Sequence, residues 1–448
     1  MKKLYFLLIL LLVINNLYIY AQMPPHPLLL DKINKGEIIK PYALSNLDMI
    51  RSKGVDKPWS APKQQLLNKQ NGLSRMFGPQ TVPSGSWKAL AVLVQFTDKP
   101  SQVNATYFDN LLFGQSTGTL SNYYNKVSYG NLDIITVTLP STLGWITAPQ
   151  PYSYYVNGNN GMGSYPQNSQ KLVEDIVNLI DPVIDFSQYD NDGDGYVDAL
   201  FIVHSGSGAE HNGNNNDMWS HSWTTHTKPI LDEVQIYHYS IVPEYWETAG
   251  DMTCGVFAHE MGHSVFGLPD LYDTDYSSMG LGKWSLTAGG SWNGTLGNSP
   301  AFPDAWSHIQ MGYLNPTVVS DNISDQSINN VENNAEAYLL KNSLCGTEYF
   351  LVENRQKIGY DAYLPGSGLC IYHVDNSAAN NNNEWYPGHT SSGHYKVALM
   401  QADGLWSLEH SSSGNSGDPY PGSSNNRNFG SISIPDSWNY NLSETGIG

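Results

Sequence analysis

Two histidines and a glutamate with a fixed spacing stand near the middle of the 448-residue chain, at His259, Glu260 and His263. Residues four apart lie on one face of an α-helix, so a helix over 251–266 would aim both imidazoles at one point. Imidazoles at this spacing can bind Zn²⁺, and the adjacent glutamate can poise a metal-bound water. The alternative is a buried helix with two hydrogen-bonded histidines, because chance matches to this motif occur on the order of once per hundred such chains.

The residues after the second histidine predict the end of the helix and the source of a third ligand. Gly267 suits a C-terminal cap that needs a positive φ, and Pro269 follows where a helix cannot continue. The chain therefore turns sharply, and this turn can bring Asp270 back to the metal.

An acidic loop predicts a second metal site. Its positions 1, 3, 5, 7 and 9 match the oxygen ligands of a calcium loop, and they are Asp190, Asp192, Asp194, the carbonyl of Tyr196, and Asp198. Position 12 is Phe201 where an EF-hand has a bidentate Glu, so the loop is not an EF-hand. Converging carboxylates repel one another without a cation, which favours a structural Ca²⁺. The alternative is a solvated acidic turn.

The elements that must position these sites alternate from Trp87 onward. Strands are predicted over 88–96, 132–139 and 199–203, and helices over 105–112, 120–127, 167–180 and 303–311. Such alternation predicts an α/β layer. From about Ala335, short β-rich runs separated by Gly, Pro, Asn and Ser clusters predict a mostly antiparallel β module. The predicted divisions are a signal peptide at 1–21, a prosegment at 22–84, a catalytic domain at 85–325 and a β-rich C-terminal domain at 326–448.

The N-terminal residues have the pattern of a secretory signal peptide. Lys2 and Lys3 precede an apolar run over 4–14 that is too short to span a bilayer, and small Ala21 closes the stretch. We therefore expect a secreted protein. The polar, weakly periodic stretch 22–84 is predicted to be a prosegment that covers the active site, the alternative being a plain flexible arm. It has no cysteine, so a thiolate on zinc is excluded.

The cysteines and the net charge limit the possible disulfides and the possible binding partners. Cys345 and Cys370 could form a disulfide, whereas Cys254 is predicted to be a packed thiol on the metal helix. The net charge is 22 − 41 = −19, which argues against nucleic acid or an anionic membrane as a partner. The sequence does not predict an oligomeric state.

With these residues in view, the sequence resembles the immune inhibitor A-like family of secreted bacterial zinc metallopeptidases, which are HExxH zincins. The resemblance runs from about Trp87 to the C-terminus and is carried by the strings at 197–198, 208–210, 219–221, 257–260, 267–273, 289–294, 353–355, 373–375 and 418–422. It implies a zincin-like catalytic domain, with a twisted sheet and an active-site helix. It also implies zinc on His259, His263 and Asp270, Glu260 as general base, and calcium on the acidic loop.

Two departures from the family pattern bear on the metal. The stretch from His263 to Gly267 is one residue longer than the family spacing, with Phe266 as the insertion, which makes Asp273 a reserve candidate for the third ligand. Thr287 stands where the family has a methionine in the turn beneath the zinc. That methionine packs without binding the metal, so its loss bears on rigidity.

The predicted function is a zinc endopeptidase that acts on extracellular proteins or peptides. Two other hypotheses stay open at this point. One is a calcium-stabilised binding or adhesin protein with a degenerate zinc site, and the other is a zinc hydrolase that acts on non-peptide amides.

Overall fold

The computed structural model describes residues 22–55, 82–319, 321–410 and 412–448. The predicted signal peptide and residues 56–81 of the predicted prosegment lie outside the described residues. Within the described ranges, no helix combines the length and the apolar character that a membrane span requires.

Helices and strands alternate along the first three quarters of the chain. The helices are α1 Pro27–Asn34, α2 Tyr42–Ser45, α3 Leu47–Ser52, α4 Thr106–Phe113, α5 Leu120–Val127, α6 Pro140–Leu143, α7 Tyr152–Val156, α8 Ser169–Ile180, α9 Ala209–Asn212, α10 Cys254–Ser264 and α11 Ala305–Met311. The strands are β1 Gly85–Lys88, β2 Leu90–Gln95, β3 Leu132–Ile135, β4 Trp145–Thr147, β5 Leu200–Ser207, β6 His221–Thr224, β7 Ile230–Leu231, β8 Val234–Gln235, β9 His238–Tyr245, β10 Thr317–Val319, β11 Tyr338–Leu340, β12 Glu348–Arg355, β13 Gly368–Asp375 and β14 Val397–Leu399.

A five-stranded mixed sheet organises the first half of the chain, in the order β4-β2-β5-β9-β6. The first four strands are parallel, and β6 runs antiparallel to β9 at the edge. Residues 90–94 of β2 and 200–203 of β5 are continuous apolar runs, because helices cover both faces of the sheet. Alternate residues of these strands contribute to two apolar clusters, one shared with α10 and the other with α8. The predicted α/β layer is therefore present, with the metal helix against one face.

A second five-stranded sheet follows, in the order β10-β11-β12-β13-β14. The β10-β11 pair is parallel, and the other three pairs are antiparallel. A buried ion network joins this sheet to the catalytic region: Arg355 on β12 binds Glu353 and Asp361 and donates to the carbonyl oxygens of Trp284 and Phe302.

Three predictions from the sequence differ from the structure. The run 88–96 divides at Ala89, because β1 pairs with β3 and β2 pairs with β5. The strand predicted over 132–139 ends at Ile135, and Pro140 starts a short helix where its fixed φ is favourable. The disulfide between Cys345 and Cys370 is wrong, because both thiols are free and buried. Cys254 is a packed thiol at the start of α10, as predicted, and burial raises its pKa to about 12.

The described part of the predicted prosegment folds against the catalytic region. Helices α1 to α3 bury Leu29, Ala43, Leu44 and Ile50 in the apolar cluster that includes α8. Upstream of α1, Gln22 lies beside α10, with its carbonyl oxygen 3.2 Å from Nε2 of His259.

Candidate metal centre and substrate cleft

Helix α10 positions the predicted metal ligands. All of its residues are buried, including His259, Glu260 and His263. At its end the amide of Gly267 donates to the carbonyl of His263, and Gly267 has a φ of 64°. The amide of Val265 also keeps its helical bond to Met261, so the extra residue lengthens the last turn before the glycine cap.

The turn after Gly267 returns Asp270 to the two histidines. The Oδ1 atom of Asp270 lies 3.3 Å from Nε2 of His259 and 3.3 Å from Nε2 of His263, and the two Nε2 atoms are 3.0 Å apart. Ligands about 2.0–2.1 Å from a tetrahedral Zn²⁺ are separated from one another by about 3.3 Å. The triangle formed by these three atoms therefore has the dimensions of a zinc site.

Hydrogen bonds at the Nδ1 atom of each imidazole indicate that the two Nε2 atoms and Oδ1 of Asp270 face one another with lone pairs. Nδ1 of His259 lies 3.0 Å from the carbonyl oxygen of Leu286, and Nδ1 of His263 lies 2.7 Å from that of Leu268. A nitrogen beside a carbonyl must carry the proton, which leaves each Nε2 as an acceptor. Oδ1 of Asp270 is buried and has no hydrogen bond. Three buried acceptors at this spacing fit a shared cation.

Glu260 lies beside this group with neither carboxylate oxygen hydrogen-bonded, although both are buried. Burial raises the pKa of Glu260 well above its usual range, and the charges of Asp270 and Glu210 raise it further, against the opposing effect of the Met23 amide. A divalent cation at the site would favour the ionised carboxylate. The position and environment of Glu260 suit a group that takes up and releases a proton.

Thr287 and Asp273, the two positions of uncertain role, lie next to the site. The carbonyl of Thr287 accepts the amide of Leu271, and the Thr287 methyl group lies under Gly262 of α10. Asp273 accepts hydrogen bonds from the hydroxyl groups of Ser277 and Ser278. Asp273 is not a member of the metal-binding group that contains Asp270.

The cleft beside the metal group contains the chain's own N-terminal residues. Gln22 pairs antiparallel with His221 on edge strand β6, and its amide donates to Oδ2 of Asp270 over 2.8 Å. Its carbonyl oxygen lies 3.2 Å from Nε2 of His259 and accepts a hydrogen bond of 2.7 Å from the hydroxyl of Tyr272.

Sequence reasoning gave no role to several residues that form this cleft, namely Trp219, Ser220, Tyr272 and Trp292. The stretch 203–221 is rich in His, Gly and Trp, a composition that suits a cleft. A signal for Tyr272 was its place two residues after Asp270 in the turn that carries the third predicted ligand.

The acidic loop brings together three of its five predicted ligands. Asp190, Asp192 and Asp194 can each offer an oxygen within 4.8 Å of the others. The carboxylate of Asp190 also accepts loop amides, including that of Gly195. Asp198 is buried, and its Oδ2 accepts the amide of Asn191, while Tyr196 forms a bridge to β8. Neither belongs to the group of three.

Comparisons with known proteins match this architecture. The family model for the immune inhibitor A peptidase M6 catalytic domain matches residues 80–315, which contain the mixed sheet, α10 and Asp270. The chain belongs to the immune inhibitor A peptidase family.

Two curated relatives are similar to part of the chain. The chain is 30% identical to immune inhibitor A of Bacillus thuringiensis subsp. alesti over 272 residues, which cover 48% of this chain and 38% of the relative. It is 26% identical to the pre-pro-metalloprotease PrtV of Vibrio cholerae over 328 residues, which cover 60% of this chain and 34% of the relative. The matched part thus spans little more than a third of each of these relatives.

Proposed function

We propose that the chain is a secreted zinc endopeptidase that hydrolyses peptide bonds in extracellular proteins. The observation that carries this proposal is the group of three converging acceptor atoms on His259, His263 and Asp270, with the unpartnered carboxylate of Glu260 beside them. Family membership and the metalloprotease relative support the same reaction class. The edge strand β6 beside the metal group supports a peptide substrate, because extended peptides bind by adding a strand to a sheet edge.

In this proposal His259, His263 and Asp270 hold the metal and Glu260 moves the proton. Zinc, when bound, would polarise the scissile carbonyl and lower the pKa of a water molecule. Glu260 accepts a proton as the water oxygen adds to the carbonyl carbon. It then returns this proton to the leaving nitrogen as the C–N bond breaks. The products are a carboxylic acid and an amine, so one water is consumed for each bond.

Calcium on the acidic loop is part of the proposal, with Asp190, Asp192, Asp194, the carbonyl of Tyr196 and Asp198 as ligands. The three converging carboxylates support it, because cations neutralise such clusters. The loop precedes central strand β5, and a cation there would fix the entry to the sheet that supports α10.

We also propose that the protein is made as a latent precursor (zymogen) and exported by a signal peptide at 1–21, with 22–84 as the prosegment. The position of residues 22–26 in the cleft supports latency, because a substrate would need the same hydrogen-bonding groups. Burial of α1 to α3 against the catalytic region supports a segment that stays in place until it is cut.

The test compares Glu260→Gln with the unaltered secreted protein by zinc content and casein hydrolysis. We expect about one zinc per chain in both and cleavage only in the unaltered protein, because glutamine keeps the shape but cannot accept the proton. The matched control is Glu247→Gln, which alters an exposed glutamate of the same region and should retain both properties. Full activity in Glu260→Gln, or no zinc in any of the three, would refute the assignment.

A further inference from the structure

Residues 22–24 lie in the cleft alongside edge strand β6. Gln22 pairs antiparallel with His221, and the amide of Met23 donates to the carbonyl of Ser220 over 3.3 Å. The indole of Trp219 donates to the Met23 carbonyl over 2.8 Å, and the indole of Trp292 donates to the Pro24 carbonyl over 2.9 Å. These contacts are made to backbone atoms, so they do not depend on the side chains of the bound segment.

This pairing places the carbonyl group of Gln22 at the metal group. The Gln22 oxygen is within 3.2 Å of Nε2 of His259, and the hydroxyl of Tyr272 donates to it. A scissile peptide needs this arrangement, with its carbonyl oxygen at the metal and a hydrogen-bond donor to that oxygen.

The side chain of the residue after this carbonyl is fully enclosed. Met23 is 0% exposed, and it belongs to the apolar cluster that includes Trp246, Val256 and Trp292. A charged side chain in such surroundings would lose its hydration without a partner to replace it. The cleft therefore encloses the Met23 side chain in apolar surroundings.

From these contacts we propose that Gln22-Met23-Pro24 is bound in the register of a substrate. The subsite after the scissile bond then takes an apolar residue of the size of Met or Leu, and Tyr272 is the catalytic residue that donates a hydrogen bond to the scissile carbonyl. This inference rests on the proposed peptidase function and adds its substrate class.

The role of Tyr272 follows from the charge that develops during hydrolysis. As the water oxygen adds to the carbonyl carbon, the π electrons of the carbonyl move onto its oxygen, which becomes negative. A phenolic O–H that already donates to this oxygen binds the negative form more strongly. Tyr272 should therefore contribute mainly to kcat, because its bond strengthens in the transition state.

The substrate class is tested with the full secreted chain carrying Met23→Asp, which cannot keep an aspartate in the apolar subsite and should expose the cleft. Peptides that differ only at the residue after the scissile bond are digested with the zinc-loaded variant, and the cut sites are mapped by mass spectrometry. We expect kcat/KM to be about ten- to a hundredfold higher for Met or Leu than for Asp or Lys at this position. Met49→Asp, which changes an exposed methionine of α3, is the matched control and should leave the cleft covered.

A binding measurement separates the subsite from the chemistry. Metal-free Met23→Asp protein is titrated with acetyl-Gln-Met-Pro-Pro-amide and with the same peptide carrying Asp in place of Met. The methionine peptide should bind at least about tenfold more tightly. If Met23→Asp does not fold, Met23→Ala serves for both experiments, because alanine empties the subsite without introducing a charge.

The outcomes distinguish the inference from the function on which it rests. Cleavage with no apolar preference after the cut, together with equal binding of the two peptides, would overturn the substrate register and leave the peptidase assignment standing. No cleavage of any peptide by the zinc-loaded variants would refute the peptidase function itself.

Tyr272→Phe, made in the Met23→Asp chain, tests the proposed catalytic role of Tyr272. We expect kcat to fall about 10²-fold with KM changed little and zinc content unchanged. The control is Tyr123→Phe, a buried tyrosine that donates to the carbonyl of Ala301 elsewhere in the same region. A loss of kcat equal in the two variants, or a change in KM alone for Tyr272→Phe, would contradict the assignment.

Discussion

Asp270 has two different partners on its two carboxylate oxygens, and this difference explains how one residue can serve both metal and cleft. Oδ1 faces the two imidazoles, whereas Oδ2 accepts the amide of Gln22. Burial opposes ionisation of Asp270, but the adjacent His263 and His259 hold its pKa below the usual value. The carboxylate is thus held in the ionised form that a zinc ligand requires.

We predict that Asp270→Asn loses zinc, because a neutral amide replaces the only anionic ligand of the proposed set. Zinc affinity, measured by competition with a chromophoric chelator, should fall at least about a hundredfold. Asp273→Asn is the matched control and should keep its zinc while losing thermal stability, since Asp273 binds Ser277 and Ser278. Zinc loss in Asp273→Asn with retention in Asp270→Asn would reverse the two roles.

Among the elements, α10 and the turn that follows it were the most predictable from sequence. Gly267 and Pro269 are local signals, and they indicated both the end of the helix and the return of Asp270. The cleft was not predictable in the same way. The contact between Tyr272 and Gln22 joins residues 250 positions apart in the sequence, and no local pattern specifies which edge strand a distant segment will join. Likewise, sequence spacing does not reveal that Cys345 and Cys370 are separate buried thiols.

The C-terminal cap of α10 depends on Gly267, and substitution of this glycine tests its role. Gly267→Ala forces a residue with a Cβ to adopt a φ of 64°, which costs about 1–2 kcal/mol. We also expect zinc affinity to fall, because the same turn aims Asp270. Gly130→Ala is the control: it has a φ of 79° beyond the end of α5, with open space around it. It should show a similar loss of stability in urea unfolding but unchanged zinc affinity. Equal zinc affinity in the two variants would show that the cap does not determine the position of Asp270.

At the scale of the whole molecule, the two sheets are joined by buried charges. Arg355 is fully buried on β12 and pairs with Glu353 and Asp361. It also donates to the carbonyl of Trp284, three residues before Thr287, whose methyl group lies against α10. The C-terminal sheet therefore contributes directly to the support of the site.

Removal of this arginine should destabilise the fold strongly. Arg355→Ala leaves two buried carboxylates without their cation, which costs about 3–5 kcal/mol in the free energy of unfolding. The exposed Arg427 provides a matched control, since Arg427→Ala should change stability by no more than about 0.5 kcal/mol. Urea unfolding of both variants measures the difference, and similar midpoints would show that the network adds no net stability.

Glu409 makes the stability of the whole protein depend on pH. Burial raises the pKa of Glu409 from 4.5 to about 8, although Nε2 of Gln401 donates to it. The folded state therefore holds this proton more tightly than the unfolded state, so the stability it contributes is fully present below pH 4.5 and is lost as pH rises to about 8.

Glu409→Gln removes this titration and keeps a group that can accept a hydrogen bond from Gln401. We expect the variant to gain stability relative to the unaltered protein between pH 5 and pH 8, by on the order of 3 kcal/mol in urea unfolding. Glu444→Gln, at an exposed site, should follow the unaltered protein at every pH. A constant difference between Glu409→Gln and the unaltered protein across this range would mean that Glu409 ionises in the folded state as it does in the unfolded chain.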